Sequence, residues 1–254
     1  MRTAAGMRVL SLDVVAAERE KCEAPVGYCT HCDLGAKSFC SGLSTEQFRR
    51  FMTFLGQTSI EPNTTIFREG DTAQHLYEIT VGAVKLYKLL SDGRRQIIAF
   101  LFPGDFFGLS YNGTYAYTAE AMLPVMVCRF PKRQLDSLFQ EIPSLEKKLL
   151  GATAQELAAA HDQMLLLGRK TAREKVASFL VMLWDRLCGD SRERHQVINL
   201  PMSRSDIADF LGLTIETVSR TLTGFRREGL IALPDINHLL IKQHEALQHI
   251  AEGA

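Results

Sequence analysis

Residues 203–232, SRSDIADFLGLTIETVSRTLTGFRREGLIA, constrain the fold of this chain more than any other stretch. Ser203 with Asp206 resembles a capping box, apolar residues follow at helical spacing, and Gly212 allows a sharp turn. The small Ala208, four residues before that glycine, suits two helices that cross at a steep angle. Cap, turn and crossing residue agree, so the stretch predicts a helix-turn-helix; an ordinary surface helical hairpin is the alternative.

The second of these helices separates apolar from polar side chains. Its apolar residues recur at helical spacing and are predicted to face inward: Ile215, Val218, Leu222 and Phe225. Glu216, Ser219 and Arg220 then share the opposite face, which is either solvated or enters the major groove of double-stranded DNA. In the groove, Arg220 can donate to a guanine, Glu216 can accept from a cytosine, and Ser219 can contact a neighbouring base. Arg204 and Thr217 are placed to hold phosphates.

Composition sets the broad class. The chain has 254 residues, of which 46% are hydrophobic and 23% charged, and its formal net charge is zero. These values suit a globular protein with two domains, in which binding to a polyanion must depend on a local patch such as Arg220, Arg226 and Arg227. No apolar run approaches about eighteen residues, and the first residues lack the pattern of a signal peptide. We therefore expect no membrane association and a cytoplasmic location.

In a cytoplasmic chain, six cysteines favour metal or redox chemistry over disulfides. Residues 1–43 form a distinct segment that holds four of them among Gly, Pro and small polar residues. The CTHC sequence lets the thiolates of Cys29 and Cys32 converge on one metal centre, and Cys40 can reach it if the loop wraps. Three well-placed thiols therefore predict a metal site that lacks a fourth ligand.

Cys128, in the apolar run MVCRF, is the candidate for that fourth ligand. Taken alone it would be a buried and inert strand cysteine, and the three N-terminal thiols favour a ligand instead. His31 is a weaker candidate, because adjacent residues in a tight loop usually point apart. Cys22 is expected to be a spectator, and Cys188 is assigned no role.

Residues 44–142 begin with a capped helix at Ser44 and Gln47 and continue as short apolar runs between turn signals. Ser91, Asp92 and Gly93 are predicted to form a hairpin turn, and other glycines and prolines mark further corners. At least six short strands at this spacing predict a compact antiparallel β-roll of the jelly-roll type. Such a roll commonly serves as a sensor domain.

A long helix is predicted over residues 143–170. Apolar or small residues recur along it with spacings of three and four: Leu150, Thr153, Leu157, Ala160, Met164 and Leu167. This spacing is typical of a helix that pairs with a copy of itself, and it predicts a homodimer; the alternative packs the stripe on the chain's own roll.

Residues 171–254 are predicted to hold an amphipathic helix, the helix-turn-helix and a two-stranded wing with its turn at 234–237. The predicted class is therefore α+β: an N-terminal antiparallel β-roll sensor domain, a long dimerisation helix and a C-terminal winged helix-turn-helix.

Roll, long helix and winged helix in this order resemble the transcription regulators of the Crp/Fnr superfamily, over nearly the whole chain. SDIADFLGLTIETVSRTLTGFRREGLI and LLLGRKTAREKVASFL are similar to its Fnr/FixK branch, and the C-x2-C-x7-C spacing is similar to FnrN-like members. The resemblance implies that one [4Fe-4S] cluster is held by four thiolates, those of Cys29, Cys32, Cys40 and Cys128.

The resemblance also implies how such a protein would act. Loss of the cluster in oxygen would weaken the dimer and release DNA, and the DNA site would be an inverted repeat of TTGAT half-sites. RNA polymerase would be a further partner. An acidic residue of the family's dimer helix appears here as Ala160, so dimer strength is expected to depend less tightly on the cluster.

Other readings compete with this one. Four cysteines suit zinc equally well, and His75 or His161 could be an axial ligand of heme. A cyclic nucleotide needs a cation inside the roll, and no Arg or Lys occurs between Arg95 and Arg129. An enzyme is not expected, because the sequence lacks a nucleophile elbow, a Walker loop, a Rossmann glycine pattern and an HExxH pair.

Overall fold

We describe a computed structural model of the chain over residues 9–10, 32, 34–35, 38–188 and 197–253. The chain divides into two compact units, residues 16–160 and residues 161–254 with the N-terminal strand β1 (Val9–Leu10). The boundary falls inside the longest described helix. No helix in the described ranges is long and apolar enough to cross a membrane.

The strands of the first unit follow the short apolar runs of the sequence. Their bounds are β2 (Gly56–Ile60), β3 (Thr65–Phe67), β4 (His75–Val81), β5 (Val84–Leu89), β6 (Arg95–Leu101), β7 (Phe106–Phe107), β8 (Thr118–Ala121) and β9 (Val125–Pro131). They pair into two antiparallel sheets with the orders β2-β9-β4-β7 and β3-β8-β5-β6. Residues such as Ile79, Leu86 and Val127 point from both sheets into one buried core. The predicted antiparallel roll is confirmed.

Helices cover the opposite face of β4 and β9. Helix α1 (Thr45–Met52) begins at the predicted capping box, α2 (Leu135–Glu141) follows a 3-10 turn at Lys132–Gln134, and α3 (Pro143–Arg169) follows directly. Side chains alternate along a strand, so residues between the core positions of β4 and β9 face these helices. They form a second apolar cluster with Phe39, Phe51, Leu76, Cys128, Phe130, Leu138, Ile142, Leu145 and Leu149.

The second unit is the predicted winged helix. Its elements after α3 are α4 (Ala172–Cys188), β10 (Val197–Asn199), α5 (Arg204–Leu211), α6 (Ile215–Arg227), β11 (Ile231–Ala232), β12 (His238–Ile241) and α7 (His244–Glu252). Strands β11 and β12 form the antiparallel wing, which β10 and then β1 extend. The apolar residues that recur at helical spacing on α4 are buried: Val176, Phe179, Leu180 and Leu183.

Two details differ from the sequence prediction. Ile215 was predicted to face inward but is 46% exposed, because it is the first residue of α6 and its Cβ points back towards the helix N-terminus, away from the buried stripe. The sequence KRQLDSLF, which follows Pro131, predicts one short helix. It begins as a 3-10 turn and becomes an α-helix only at Leu135.

Candidate nucleic-acid interface and cysteine site

The outer face of α6 presents the predicted base-reading residues together. Glu216, Ser219 and Arg220 are all exposed and lie in the N-terminal half of the helix. The opposite face is at most 2% exposed at three apolar positions, Val218, Leu222 and Phe225. Burial on one face fixes the rotation of the helix, so the three polar side chains are held outward as one group.

The chemistry of this group suits base edges. The pKa of the Glu216 carboxyl is lowered by its own backbone amide, by the Thr214 hydroxyl and by the nearby Arg220 guanidinium. Arg220 Nη2 lies 3.5 Å from Thr217 Oγ1, to which it donates. An ionised acceptor therefore stands beside a cation with several donors, as readout of a cytosine and a guanine requires.

Helix α5 and the turn that follows it position α6. The predicted capping box is confirmed: Asp206 N donates to Ser203 Oγ at 3.0 Å, and Ser203 N donates to Asp206 Oδ2 at 3.1 Å. Gly212 then adopts a left-handed conformation with φ +61°, which residues with a side chain rarely adopt. The buried Ala208 accepts a hydrogen bond from Leu213 N at 3.0 Å across this turn.

The C-terminal end of α6 is fastened to α4. Arg173 donates from both Nη atoms to the carboxylate of Glu228, with 2.8 Å between Nη1 and Oε1. Its guanidinium also lies 4.8 Å from the ring centroid of Phe225. Both ends of α6 are thus tied to neighbouring helices.

The two predicted phosphate ligands differ in their surroundings. Arg204 is half-buried in the first turn of α5, where desolvation lowers its pKa while the guanidinium stays charged. Thr217 donates its backbone amide to Thr214 Oγ1 at 3.2 Å, and the two hydroxyl oxygens lie 3.1 Å apart. Thr217 therefore also belongs to the N-terminal cap of α6.

The stripe predicted for dimerisation lies mostly on the surface of α3. Five of its six members are exposed in the single chain: Leu150, Thr153, Leu157, Ala160 and Met164. Leu150 is 69% exposed, Leu157 58% and Met164 62%. Within the part of the chain that the structure describes, these side chains are left uncovered, so the exposed apolar stripe fits an interaction with another molecule.

The sixth member, Leu167, is half-buried within the chain. Its side chain packs against the turn of the helix-turn-helix at Gly212. A methyl group added to that glycine would lie 3.3 Å from Leu167 Cδ2. One helical turn earlier, Gln163 Nε2 donates to the carbonyl oxygen of Phe210 at 2.8 Å. The last turns of α3 are therefore attached to the end of α5.

Two of the predicted metal ligands meet at the second apolar cluster. Cys128 on β9 is a buried member of it, and Cys40, in the turn before α1, is half-buried and packs against it. Cys40 Sγ lies 3.2 Å from Ser38 Oγ. Cys32 is half-buried, and Cys29 lies outside the described residues, as do Cys22 and His31. Within the described ranges, no three or more His, Cys, Asp or Glu side chains form a metal-binding group.

A buried glutamate connects the loop of Cys40 to the strand beside Cys128. Glu78 on β4 is the register partner of Cys128 and is 3% exposed. Its Oε1 accepts from Phe39 N at 2.8 Å. Burial raises the pKa of the Glu78 carboxyl to about 8, although the Phe39 amide and the charge of Lys148 act in the opposite direction. The loop that contains Cys40 is thus hydrogen-bonded to β4, the strand that pairs with β9 and so lies beside Cys128.

Known proteins resemble both units. A model of the cyclic nucleotide-binding domain matches residues 57–142, and a model of the Crp-like helix-turn-helix domain matches residues 174–250. The nitrogen fixation regulation protein FixK of Bradyrhizobium diazoefficiens is 41% identical over 206 residues, which cover 81% of this chain and 86% of FixK. The chain belongs to the Crp/Fnr family of transcription regulators.

Further relatives place it in the Fnr/FixK branch of this family. The transcriptional activatory protein AadR of Rhodopseudomonas palustris is 42% identical over 207 residues, which cover 81% of this chain and 86% of AadR. The structure of FixK2 from Bradyrhizobium japonicum is 39% identical with a TM-score of 0.72, over 77% of this chain and 96% of that one. The predicted family and branch are confirmed.

The roll of this Crp/Fnr member has an aromatic interior. Its core contains five stacked or tilted rings, those of Phe67, Tyr77, Phe107, Tyr115 and Tyr117. The centroids of Phe67 and Tyr115 are 3.6 Å apart, and Gly108 N donates to Tyr117 Oη at 2.9 Å. Burial raises the pKa of Tyr77 and of Tyr117, so both rings are neutral.

Several contacts of the site were not predicted from the sequence. The buried Lys85 pairs with Glu120 at 3.0 Å between Nζ and Oε1, directly across β5 and β8. Glu78 and Lys148 were also missed. Each carried a signal, because Glu78 interrupts the apolar run HLYEITV and Lys148 sits between the buried Leu145 and Leu149 on α3. An ionisable residue within a buried pattern indicates a specific partner.

Proposed function

We propose that this protein is an oxygen-responsive, DNA-binding transcription regulator that acts as a homodimer. The observation that carries the proposal is that one Crp/Fnr chain contains two separate sites. One is the outward group on α6, and the other is the pair of distant cysteines on a single buried cluster.

The DNA-binding part rests on α6. Glu216, Ser219 and Arg220 project from a helix whose rotation is fixed by burial and whose ends are tied to α5 and α4. In a winged helix, this helix enters the major groove, where Arg220 would donate to a guanine and Glu216 would accept from a cytosine. The resemblance to Fnr-like regulators supplies the expected target, an inverted repeat of TTGAT half-sites.

The homodimer rests on α3. Its exposed apolar stripe would be covered by the same stripe of a second copy, and a twofold axis would provide two recognition helices for the two half-sites. We further propose, from the family resemblance, that the DNA-bound dimer contacts RNA polymerase.

The sensing part rests on the cysteines. Cys29, Cys32, Cys40 and Cys128 would hold a [4Fe-4S] cluster, whose iron atoms prefer thiolate ligands. The donor set fits this group: Cys40 and Cys128 pack on one apolar cluster, and the loop of Cys40 is fixed by the bond from Phe39 to Glu78. When bound, the cluster would supply an oxygen-labile prosthetic group; the chain contributes thiolates and an apolar surrounding.

Three alternatives to the iron-sulfur cluster remain to be compared with it. A structural zinc would use the same four thiolates. A cyclic nucleotide would have to displace aromatic packing inside the roll, where the buried Lys85 is already matched by Glu120. For heme, His161 is exposed. The pKa of His75 is lowered through burial and through Arg129 and Arg133, and the resulting neutral imidazole is the form that an axial ligand requires, so the absorption spectrum described below decides this case.

Serine substitution of each cysteine tests the ligand set. After anaerobic reconstitution with iron and sulfide, Cys29→Ser, Cys32→Ser, Cys40→Ser and Cys128→Ser should each lose the brown chromophore. Cys22→Ser and Cys188→Ser are the matched controls and should keep it. A chromophore that persists in Cys128→Ser would remove that residue from the set, a Soret band would indicate heme, and a colourless zinc-loaded protein would indicate a structural site.

A further inference from the structure

The ammonium of Lys148 on α3 lies among oxygen atoms of the turn that contains Cys40. Lys148 Nζ donates to the carbonyl oxygens of Ser38, Phe39 and Ser41 at 3.4, 3.2 and 2.5 Å. It also donates to Ser41 Oγ at 2.6 Å. Three carbonyl groups of one short turn therefore converge on a single cation, which fixes the backbone on both sides of Cys40.

A second side chain, that of Glu78 on β4, holds the same turn from the other side. Glu78 Oε1 accepts from Phe39 N, so the amide of Phe39 is bound by β4 while its carbonyl is bound by α3. The Phe39 ring packs in the cluster, with centroids 5.1 Å from Phe106 and 5.5 Å from Phe130. Backbone and side chain of this residue are thus both fixed.

We propose that Lys148 is a positioning residue of the cysteine site. It holds the turn 38–41 in the conformation that places Cys40 against the apolar cluster containing Cys128, and it joins that turn to α3. The proposal rests on the function proposed above and adds a residue that connects the cysteine site to the dimer helix α3. Lys148 is followed two positions later by Leu150, the first member of the dimer stripe. A change in the turn would therefore act directly on the helix segment where the stripe begins.

Charge, and not only packing, is the reason to assign this role. The neighbours Leu145 and Leu149 fill the apolar contacts of this face of α3, and an apolar side chain at 148 would preserve them. Such a side chain could not donate to the three converging carbonyl groups: that of Ser38 would keep its bond from Ser41 N at 3.1 Å, but all three would lose the ammonium in a partly buried site. Charge-assisted hydrogen bonds are stronger than neutral ones, so a cation suits this position.

Lys148→Met tests the proposal, because it keeps the length of the side chain and removes the ammonium. Lys147→Met is the matched control, since Lys147 is the exposed neighbour with the same charge. Backbone amide hydrogen exchange is measured first, on the full chain before it is reconstituted with an iron-sulfur cluster. We expect the amides of Phe39, Ser41 and Leu43 to exchange several-fold faster in Lys148→Met, and at the wild-type rate in Lys147→Met. Lys148→Arg should restore part of the protection.

The same variants are then reconstituted anaerobically and exposed to air. The visible absorbance of Lys148→Met should decay several-fold faster than that of wild type and of Lys147→Met. Ser41→Ala, which removes only the hydroxyl contact, should have a smaller effect in the same direction and replaces Lys148→Met if that variant fails to fold.

The outcomes separate this proposal from the function on which it rests. Wild-type exchange and wild-type decay in the Lys148 variant would overturn the positioning role. Wild-type protein that takes up no iron-sulfur cluster would overturn the proposed function, while the exchange experiment would still decide whether Lys148 holds the turn.

Discussion

At the scale of single residues, Arg220 should determine base preference. Its guanidinium is exposed on α6 and can form two hydrogen bonds with a guanine, so Arg220→Ala should cost roughly 1 to 3 kcal/mol per half-site. The loss should be largest on the TTGAT palindrome and small on a copy in which the guanine is changed. Anaerobic gel shifts with both duplexes measure this difference.

Arg204→Ala is the control for this prediction. Arg204 lies at the start of α5, on a different helix from the base-reading group, and should contact a phosphate. Its removal should weaken binding to both duplexes alike and make the affinity less dependent on salt. If Arg220→Ala discriminates between the two duplexes as well as wild type does, α6 does not read that base.

Residue contacts within one element could be predicted, whereas contacts between distant elements could not. The caps at Ser44 and Ser203 follow from local sequence, because their partners lie three residues away. The pair of Lys85 and Glu120 depends on strand register, which becomes known only when the sheet is assembled. Pairing of Lys148 with the turn at 38–41 depends on which face of α3 meets the roll.

At the scale of elements, the two capping boxes offer a matched comparison. Ser203→Ala removes the acceptor for Asp206 N and should cost about 1 kcal/mol in the stability of the winged helix. Trp184 is the one tryptophan of the chain and lies on α4, so its fluorescence reports unfolding of that unit. A urea titration followed by this fluorescence should show an earlier midpoint for Ser203→Ala.

Ser44→Ala removes the same kind of cap from α1, in the other unit. It should lower the midpoint seen by circular dichroism and leave the Trp184 midpoint unchanged. Equal Trp184 shifts in both variants would mean that the two units unfold together.

The stripe on α3 makes a second prediction at this scale. A charge in a seam between two apolar helices would be desolvated without a partner, so Leu157→Glu should produce a folded monomer that no longer binds the palindrome. Gln155→Glu places the same charge on an exposed position of the opposite face and should leave the dimer intact. Light scattering gives the mass of each variant, and gel shift gives its affinity. An unchanged dimer mass in Leu157→Glu would mean that the interface lies elsewhere.

The elements themselves were largely predictable, because periodicity, caps and turn residues agree along the chain. The roll strands, α3, the helix-turn-helix and the wing all follow from such local patterns. Ile215 shows the limit, since a residue at the right spacing is not buried when it precedes the packed part of its helix. Leu167 shows another, because it continues the stripe in sequence but lies against the Gly212 turn.

At the scale of the whole molecule, charge balance makes DNA binding depend on assembly. Twenty-nine basic side chains are matched by twenty-nine acidic ones, so no net attraction holds a monomer on DNA. In the proposed homodimer each protomer would contribute one recognition helix, and pairing would add the second half-site at a high effective concentration. A signal that weakens the dimer would therefore release DNA without changing α6.

The last prediction tests that coupling through Ala160. This residue is exposed in the middle of the α3 stripe, at the position where the resemblance to Fnr-like regulators implies an acidic residue. Ala160 adds no repulsion between two copies, so air exposure should reduce the mass and the DNA affinity of wild type only in part. Ala160→Asp would face its own copy across the twofold axis, and two like charges there oppose pairing unless another interaction compensates. We expect this variant to be a dimer when loaded anaerobically and a monomer after air exposure, with a loss of DNA affinity that high protein concentration reverses. Light scattering and gel shift on the same samples measure both quantities.

A zinc-loaded sample, which contains no oxidisable iron, should keep its mass in air. If Ala160→Asp and wild type lose mass equally, the α3 seam at this position does not set the response to oxygen.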